Sequence, residues 1–351
     1  MKDILLTTFP AHRSGNVGDQ LITFSLLKMF RSRFPAYDPI IRFREESLDD
    51  IDPEAIKSIV APGFSVVDGT YPNLFSLYSD VRRLRNFFPI GCSFQGIRPD
   101  ESTFAGHQYS PETKEFLSSV VENIGPLMCR DELIVKMLLG NGIAAEYFGD
   151  LAIYDEEKVG SEFIAPNSIS SLVFTIQHHD KYDEQSFSVL QMLSKKFTNA
   201  TRYVAYHSRP NRRSKKVAEF AVSLGFIPKE LSGDVNNLSF YDDIDLHVGY
   251  RLHGHIYFLR RRKPSVLLVE DARSFGFSRT RGTSYGCLDV MDVELDEVGK
   301  TTAEEIEVFL DRQISTQFSE YQEVFDFIDS KYKGVVAPYI DMFARKYLVS
   351  Y

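Results

Sequence analysis

Ile244-Asp245-Leu246-His247-Val248-Gly249-Tyr250-Arg251-Leu252-His253-Gly254-His255-Ile256-Tyr257-Phe258-Leu259 is the stretch from which the rest of the sequence is read. Ile244, Leu246 and Val248 alternate with polar residues, the period of a buried strand. Beyond Gly249, Leu252, Ile256 and Leu259 recur at helical spacing. A strand that bends directly into a helix leaves Arg251, His253 and His255 at or near the helix N-terminus. Free N–H groups and the positive end of the macrodipole favour an anion there. Arg adds a permanent charge and a two-pronged donor, and His carries or releases a proton near neutral pH. The stretch therefore predicts a place to hold an anionic substrate and to move a proton. A salt-bridged Arg251 beside two packed histidines is the plainer reading of the same residues. His255 lies two positions further into the helix than His253 and is expected to point away from the site.

Outward from this stretch, strands and helices alternate along the whole chain. In the first half, strand-like runs fall at Ile4–Thr8, Pro39–Phe43, Ser58–Val60, Phe88–Cys92, Leu127–Cys129 and Glu146–Phe148. Helical patterns fall at Leu21–Phe30, Leu74–Arg85, Pro111–Asn123 and Asp131–Leu139. A polar segment, Asp155–Asn167, reads as a linker. The alternation then restarts with strands at Leu172–Ile176, Arg202–Tyr206, Ile244–Val248 and Ser265–Val269. The helices between them are Glu184–Lys196, Lys215–Leu224 and His253–Leu259. Glu304–Gln313, Tyr321–Phe327 and Pro338–Tyr347 are read as C-terminal helices. Strands alternating with helices imply parallel sheets covered on both faces, with ligands gathering beyond the strands' carboxyl ends. The expected fold is α/β: two Rossmann-like domains facing across a cleft, over residues 1–155 and 168–300. Helices over 301–351 cross back. A length of 351 residues suits two domains of roughly 150 each.

Bulk properties narrow the classes. A net charge of −9 argues against a nucleic-acid partner. Three widely spaced cysteines without a CxxC suggest reduced thiols and no zinc site. Met1–Thr8 is read as a strand and not a signal peptide, and no window approaches the ~20 apolar residues of a membrane span. The expected location is cytoplasmic, with a peripheral contact at the inner face of the membrane as an option.

The residues that follow each strand carry the chemistry. Ser14-Gly15-Asn16-Val17-Gly18-Asp19-Gln20 joins the first strand to a helix, but it is not the dinucleotide fingerprint and no P-loop Lys follows. Asp19 either caps the helix or contacts a substrate hydroxyl. Ser93-Phe94-Gln95-Gly96 follows the fourth strand. Arg130-Asp131 closes the fifth, with Arg130 at the sheet's carboxyl edge, either binding an anion or pairing with Asp150. His178-His179-Asp180 resembles a ligand cluster, yet neighbours on a strand point to opposite faces, so a loop role against an acceptor is the reading and no metal is assigned.

Asn16-Val17-Gly18-Asp19, Cys129-Arg130-Asp131, Gly149-Asp150-Leu151-Ala152, Tyr250-Arg251-Leu252-His253-Gly254 and Lys263–Leu268 with Asp271-Ala272-Arg273 occur in one order. In that order and spacing the chain resembles the polysaccharide pyruvyl transferase family from about residue 3 to about residue 285. The resemblance implies a GT-B-like fold and no cofactor, with phosphoenolpyruvate as co-substrate. It implies transfer of the pyruvyl group onto two hydroxyls of a sugar as a ketal. It implies Arg251 as the phosphoenolpyruvate anchor and His253 as acid/base. Arg130 would be a second anchor from the facing domain, and Asn16, Gly18 and Asp19 would line the cleft. Gln95, Gly254 and Arg273, where members often carry Lys, complete the expected substrate-binding set, and Asp19 is the candidate to help deprotonate the hydroxyls. A nucleotide-sugar glycosyltransferase of similar architecture and a non-catalytic glycan-binding relative are the alternative readings.

Three basic runs, Arg82–Arg85, Arg209–Lys216 and Arg260–Lys263, stand out in an acidic chain. Solvated helix ends are their plain reading. The second, following a strand's carboxyl end, also suits an acceptor sugar carried on a polyprenyl diphosphate at an anionic membrane face.

Overall fold

The computed structural model describes residues 1–8, 15–95, 100–292 and 300–348; Ser14 and Gly96 of the stretches above lie outside them. Two six-stranded sheets carry the fold. The first contains β1 (Lys2–Thr7), β2 (Ile40–Phe43), β3 (Ile56–Pro62), β4 (Phe87–Cys92), β5 (Leu127–Cys129) and β6 (Ala145–Tyr147). Its spatial order is β2-β1-β3-β4-β5-β6. The second contains β7 (Ser171–Thr175), β8 (Thr201–Tyr206), β9 (Ile227–Glu230), β10 (Leu246–Gly249), β11 (Ser265–Val269) and β12 (Cys287–Asp289), in the order β12-β11-β10-β7-β8-β9. All of these pairings are parallel. The helices are α1 (Val17–Arg33), α2 (Glu101–Gly106), α3 (Pro111–Ile124), α4 (Glu132–Gly140), α5 (Asp183–Lys196), α6 (Arg212–Ser223), α7 (Leu252–Arg260), α8 (Ala272–Ser278), α9 (Lys300–Ser315), α10 (Tyr321–Lys331) and α11 (Ala337–Phe343). Helices on both faces explain why β4, Phe87–Cys92, is buried along its entire length and reads as a continuous apolar run.

The strand orders fix where a ligand fits. In the first sheet the chain reverses its winding between β1 and β3; in the second, between β7 and β10. Such switch points leave a crevice at the carboxyl ends of the strands. Gly249 ends β10 there at φ 152°, and any side chain on it would collide with the backbone of Thr175 on β7. The glycine lets the two strands run together and then releases the chain into Arg251.

The two domains meet along several contacts. Val17 N at the start of α1 donates to His207 O beyond β8 (2.9 Å), and Gly233 N donates to Gly15 O (2.8 Å). Arg260 Nη1 on α7 donates to Ser25 Oγ of α1 (2.8 Å) and to Ala152 O (3.1 Å). Glu132 N at the head of α4 donates to Thr280 Oγ1 (3.2 Å).

The C-terminal segment belongs to both domains. On α9, Asp311 pairs with Lys196 of α5, and Tyr321 Oη of α10 donates to Ser265 O (2.6 Å). The chain then returns to the first domain. Arg33 at the end of α1 is clasped by Glu156, by Tyr332 (3.1 Å) and by Asp341 (2.9 Å). Phe343 of α11 stacks on Phe30 of α1 (4.9 Å) and meets Phe88 of β4 edge-on (4.9 Å).

One expected helix is corrected. Beyond Leu74, which closes a wide turn begun at Thr70, residues 75–85 are not helical apart from a short capped turn at Val81–Arg83. Their backbone groups bond sideways to the 44–48 loop, through Leu48 N to Leu77 O (2.7 Å) and Ser76 N to Arg44 O (3.0 Å). Leu77, at φ 46°, breaks any helical run. Two strands had no clear pattern: β9 is exposed at all four positions, and β12 is three residues long. Among the described residues, no helix is long and apolar enough to cross a membrane.

Candidate functional site

The start of α1 sits between two charged groups. On one side is a cavity of about 400 Å³ at the β7–β10 switch point. Its wall includes Asn16, His178, His207, Arg209, Arg213 and Arg251. Arg251 is the N-cap of α7 and is 7% exposed. Its Nη2 donates to Asn16 Oδ1 (3.2 Å) and Ser208 Oγ (3.4 Å). Asn16 Oδ1 also caps α1 by accepting from Gly18 N (3.2 Å), so one amide oxygen serves both domains. Burial pulls the Arg251 guanidinium down to about 10, with Glu270 the main counterweight; it is charged at neutral pH. His207 Nε2 bonds Tyr241 Oη (2.6 Å), while its buried Nδ1 has no hydrogen-bond partner. Burial and then Arg251 hold this histidine well below its usual range.

On the other side His253 turns to the first domain. Its Nε2 stands 3.5 Å from Asp150 Oδ2, and Arg130 Nη1 stands 3.8 Å from the same oxygen. Arg130 Nε lies 3.8 Å from Asp131 Oδ2. These are ion-pair contacts, too long for formed hydrogen bonds. Arg130 Nη2, Asp150 Oδ2 and His253 Nε2 are all buried without a hydrogen-bond partner among the described residues. Burial pushes Asp150 up, but His253 and Arg130 hold its carboxyl below the usual range. For Asp131, burial prevails over Arg130 and raises it to about 6. A buried trio with three orphaned polar atoms is an arrangement that structural ion pairs avoid and functional sites retain.

Gly18 makes this packing possible. A Cβ there would lie 2.5 Å from His253 Nδ1. Gly254 has a packing role: its Cβ would lie 3.1 Å from His247 Nε2 and 3.2 Å from His207 Cε1. His255 is in the core, its Nδ1 2.7 Å from Ser265 Oγ, and burial drops it to about 3.

The remaining expected residues are spread around this centre. Arg130 does not line the Arg251 cavity; it belongs to the His253–Asp150 group. Asp19, in the first turn of α1, acts electrostatically on both Arg251 and Arg273. Arg273 Nε and Nη2 both donate to Asp271 Oδ2 (2.9 and 2.6 Å), which holds its guanidinium firmly charged. Gln95 is exposed beyond β4. Among the described residues no group of His, Cys, Asp or Glu is placed to hold a metal ion.

The sequence reading pairs Asp150 with Arg130 but not with His253, and it misses two participants. Glu270 and His207 directly follow β11 and β8, so the strand-end rule applied to the second domain would have found both.

The family model for polysaccharide pyruvyl transferase matches residues 16–271, from the Asn16 cap to Asp271. The chain belongs to the polysaccharide pyruvyl transferase family. Within this pyruvyl transferase family member the matched span contains Asn16, Gly18, Asp19, Arg130, Asp150, Arg251 and His253, and ends just before Arg273. No curated protein matches the chain significantly. Two solved structures share the family member's fold. One is S. aureus MnaA in complex with UDP, 12% identical at TM-score 0.54, over 97% of this chain and 98% of that one. Another is the UDP-GlcNAc 2-epimerase from Neisseria meningitidis bound to UDP-GlcNAc, 13% identical at TM-score 0.53, over 97% and 100%. The likeness, at this identity, is one of architecture: two facing parallel-sheet domains, GT-B-like.

Proposed function

We propose that this chain transfers the pyruvyl group of phosphoenolpyruvate onto two hydroxyls of a sugar in a surface polysaccharide or its lipid-linked precursor, forming a ketal. The carrying observation is Arg251. It is a buried guanidinium on a cavity wall whose hydrogen-bond partners among the described residues are neutral oxygens. A buried charge without an opposite charge in contact is costly, and an anionic substrate supplies one. The N-terminus of α7 adds its dipole at the same point.

Phosphoenolpyruvate carries a phosphate and a carboxylate, groups that match guanidinium forks. Proton transfer to its C3 makes C2 electrophilic. His253 is the acid in this reading: it packs on Gly18, in the same turn whose Asn16 touches Arg251. One sugar hydroxyl then adds to C2, the bond from C2 to the phosphate oxygen breaks, and the second hydroxyl closes the ring. Of the two hydroxyl protons, one ends in the new methyl group and the other leaves with phosphate. The basic start of α6, bordering the cavity through Arg209 and Arg213, suits the diphosphate of a lipid-linked acceptor.

The test pairs calorimetric titration of phosphoenolpyruvate with mass spectrometry of the glycan from cells with and without the protein. Arg251→Ala should weaken phosphoenolpyruvate binding by roughly ten- to a hundred-fold, the loss expected for hydrogen bonds to a charged group. Stabilisation of the protein by UDP or a UDP-sugar, with no response to phosphoenolpyruvate, would overturn the reading in favour of nucleotide-sugar transfer.

A further inference from the structure

The His178-His179-Asp180 loop has no part in the chemistry so far, yet it holds an ordered pair on the cavity wall. His178 Nδ1 lies 3.1 Å from Glu270 Oε1, and the backbone N of His178 donates to Glu270 Oε2 (2.7 Å). Both oxygens of one carboxylate therefore fix one histidine, main chain and ring together. Glu270 is fixed in turn: its N donates to Ser274 Oγ (3.1 Å), and Tyr182 Oη donates to its carbonyl (3.2 Å). The Glu270 side chain is 1% exposed while that of His178 is 32% exposed. The carboxylate is thus buried behind a partly exposed ring. That ring shares the cavity wall with Arg251.

We infer that His178, oriented by Glu270, is the base that takes the proton from the attacking hydroxyl of the acceptor sugar. Burial raises the Glu270 carboxyl to about 7; above that pH it is ionised, and with Nδ1–H donated to it Nε2 is left bare and able to accept a proton, the arrangement by which a carboxylate fixes an imidazole's tautomer. In the step itself, the hydroxyl oxygen bonds to C2 of the protonated donor and its proton passes to His178 Nε2. The C2–O bond to phosphate then breaks, and phosphate leaves with the electron pair and takes up the proton held by His178. The two histidines thus divide the work: His253 gives a proton to carbon, and His178 removes one from oxygen.

The surroundings suit a base. His178 is faced by Arg251 from α7, by Arg273 and Asp271 from the α8 end, by His179 from its own loop and by Glu270. Burial first, then the two arginines, hold its pKa well below the ordinary histidine value, so the ring is neutral at physiological pH. Glu270 makes no contact with the sugar in this scheme and is a positioning residue.

The inference rests on the pyruvyl-transfer reading, and its test separates the two. Wild type, His178→Gln and Glu270→Gln are compared for phosphoenolpyruvate binding by calorimetry. They are also compared for ketal formation across pH on the unpyruvylated glycan extracted from a deletion strain. His178→Gln should bind phosphoenolpyruvate within about threefold of wild type, yet form ketal about 10²- to 10⁴-fold more slowly, the usual worth of a general base. It should also lose the acid limb of the pH profile, where wild-type His178 becomes protonated. Glu270→Gln offers Nδ1 an amide that can turn either end to it and no longer fixes the tautomer, so it should slow ketal formation while phosphoenolpyruvate binding stays within about threefold of wild type. An unchanged rate, a persistent acid limb in His178→Gln, or a parallel loss of phosphoenolpyruvate binding would overturn the assignment. A wild-type protein that neither binds phosphoenolpyruvate nor forms ketal would refute the underlying reading and the assignment with it.

Discussion

Gly18→Ala adds one carbon at the closest contact between the two domains. The new Cβ would lie 2.5 Å from His253 Nδ1 and 2.8 Å from both His253 Cβ and Cγ. Carbon atoms in ordinary contact stand about 3.5–4.0 Å apart, so roughly 1 Å must be opened. Neither side yields easily. α1 is pinned by Val17 N to His207 O, and α7 is pressed against His207 and His247 through Gly254. Overpacking of this kind costs about 1–3 kcal/mol. If His253 is the acid of the proposed reaction, a shift of ~1 Å in it costs on the order of 10²-fold in rate. Chemical denaturation should therefore show a loss of about 1–3 kcal/mol, and pyruvylation of the glycan should fall about a hundredfold. Gly106→Ala is the control: no atom of the described residues lies within 4 Å of its added Cβ, so it should leave both quantities near wild type. A Gly18→Ala protein with unchanged stability and unchanged pyruvylation would refute the packing of α1 on His253, and with it the argument that Gly18 exists to admit the histidine.

Two further outcomes follow from buried contacts. Asp150→Asn removes the carboxylate shared by Arg130 and His253; with pair distances of 3.5 and 3.8 Å, the cost at neutral pH should sit near the lower end of the range for broken buried pairs, about 3 kcal/mol. Because the folded-state pKa of Asp150 is depressed below 3.8, its contribution is present above that value and lost as pH falls through the folded value. The wild-type and variant stabilities should thus converge below about pH 4 in urea titrations. Phe343→Ala empties a fully buried site between Phe30 and Phe88 and should destabilise the protein by about 3–5 kcal/mol in denaturation followed by intrinsic tyrosine fluorescence.

The sheets were legible because their strands are buried on both faces. Leu127–Cys129 and Ser265–Val269 are apolar runs cut off by charged or turn-forming neighbours, and they fold over those same residues. The segment 74–85 misled because its apolar spacing imitates a helix, while its hydrogen bonds are made with residues some thirty positions away. The same division holds at the site. Arg251 and His253 could be placed by local pattern alone, since a strand-to-helix bend is encoded in a few consecutive residues. The partners that give them chemistry could not. Glu270 meets His178 across 92 positions of chain, and Asp150 reaches His253 from the other domain. Periodicity carries no information about which loop ends face each other across a cleft; that depends on the strand orders of both sheets.

The chain crosses between the domains twice, once after Asp155 and again between α10 and α11, and both crossings gather at the far end of α1, where Arg33 is clasped by Glu156, Tyr332 and Asp341. The near end of α1, at Asn16, touches Arg251. With 17 residues at 1.5 Å each, the helix spans about 25 Å. One rigid rod therefore ties the covalent crossings at Arg33 to the cavity wall at Asn16, and it is held to the second domain at its tip by Val17 N to His207 O and at its middle by Ser25 Oγ to Arg260. The spacing of the two sheets and the position of Asn16 against Arg251 are thus set by the same seventeen residues.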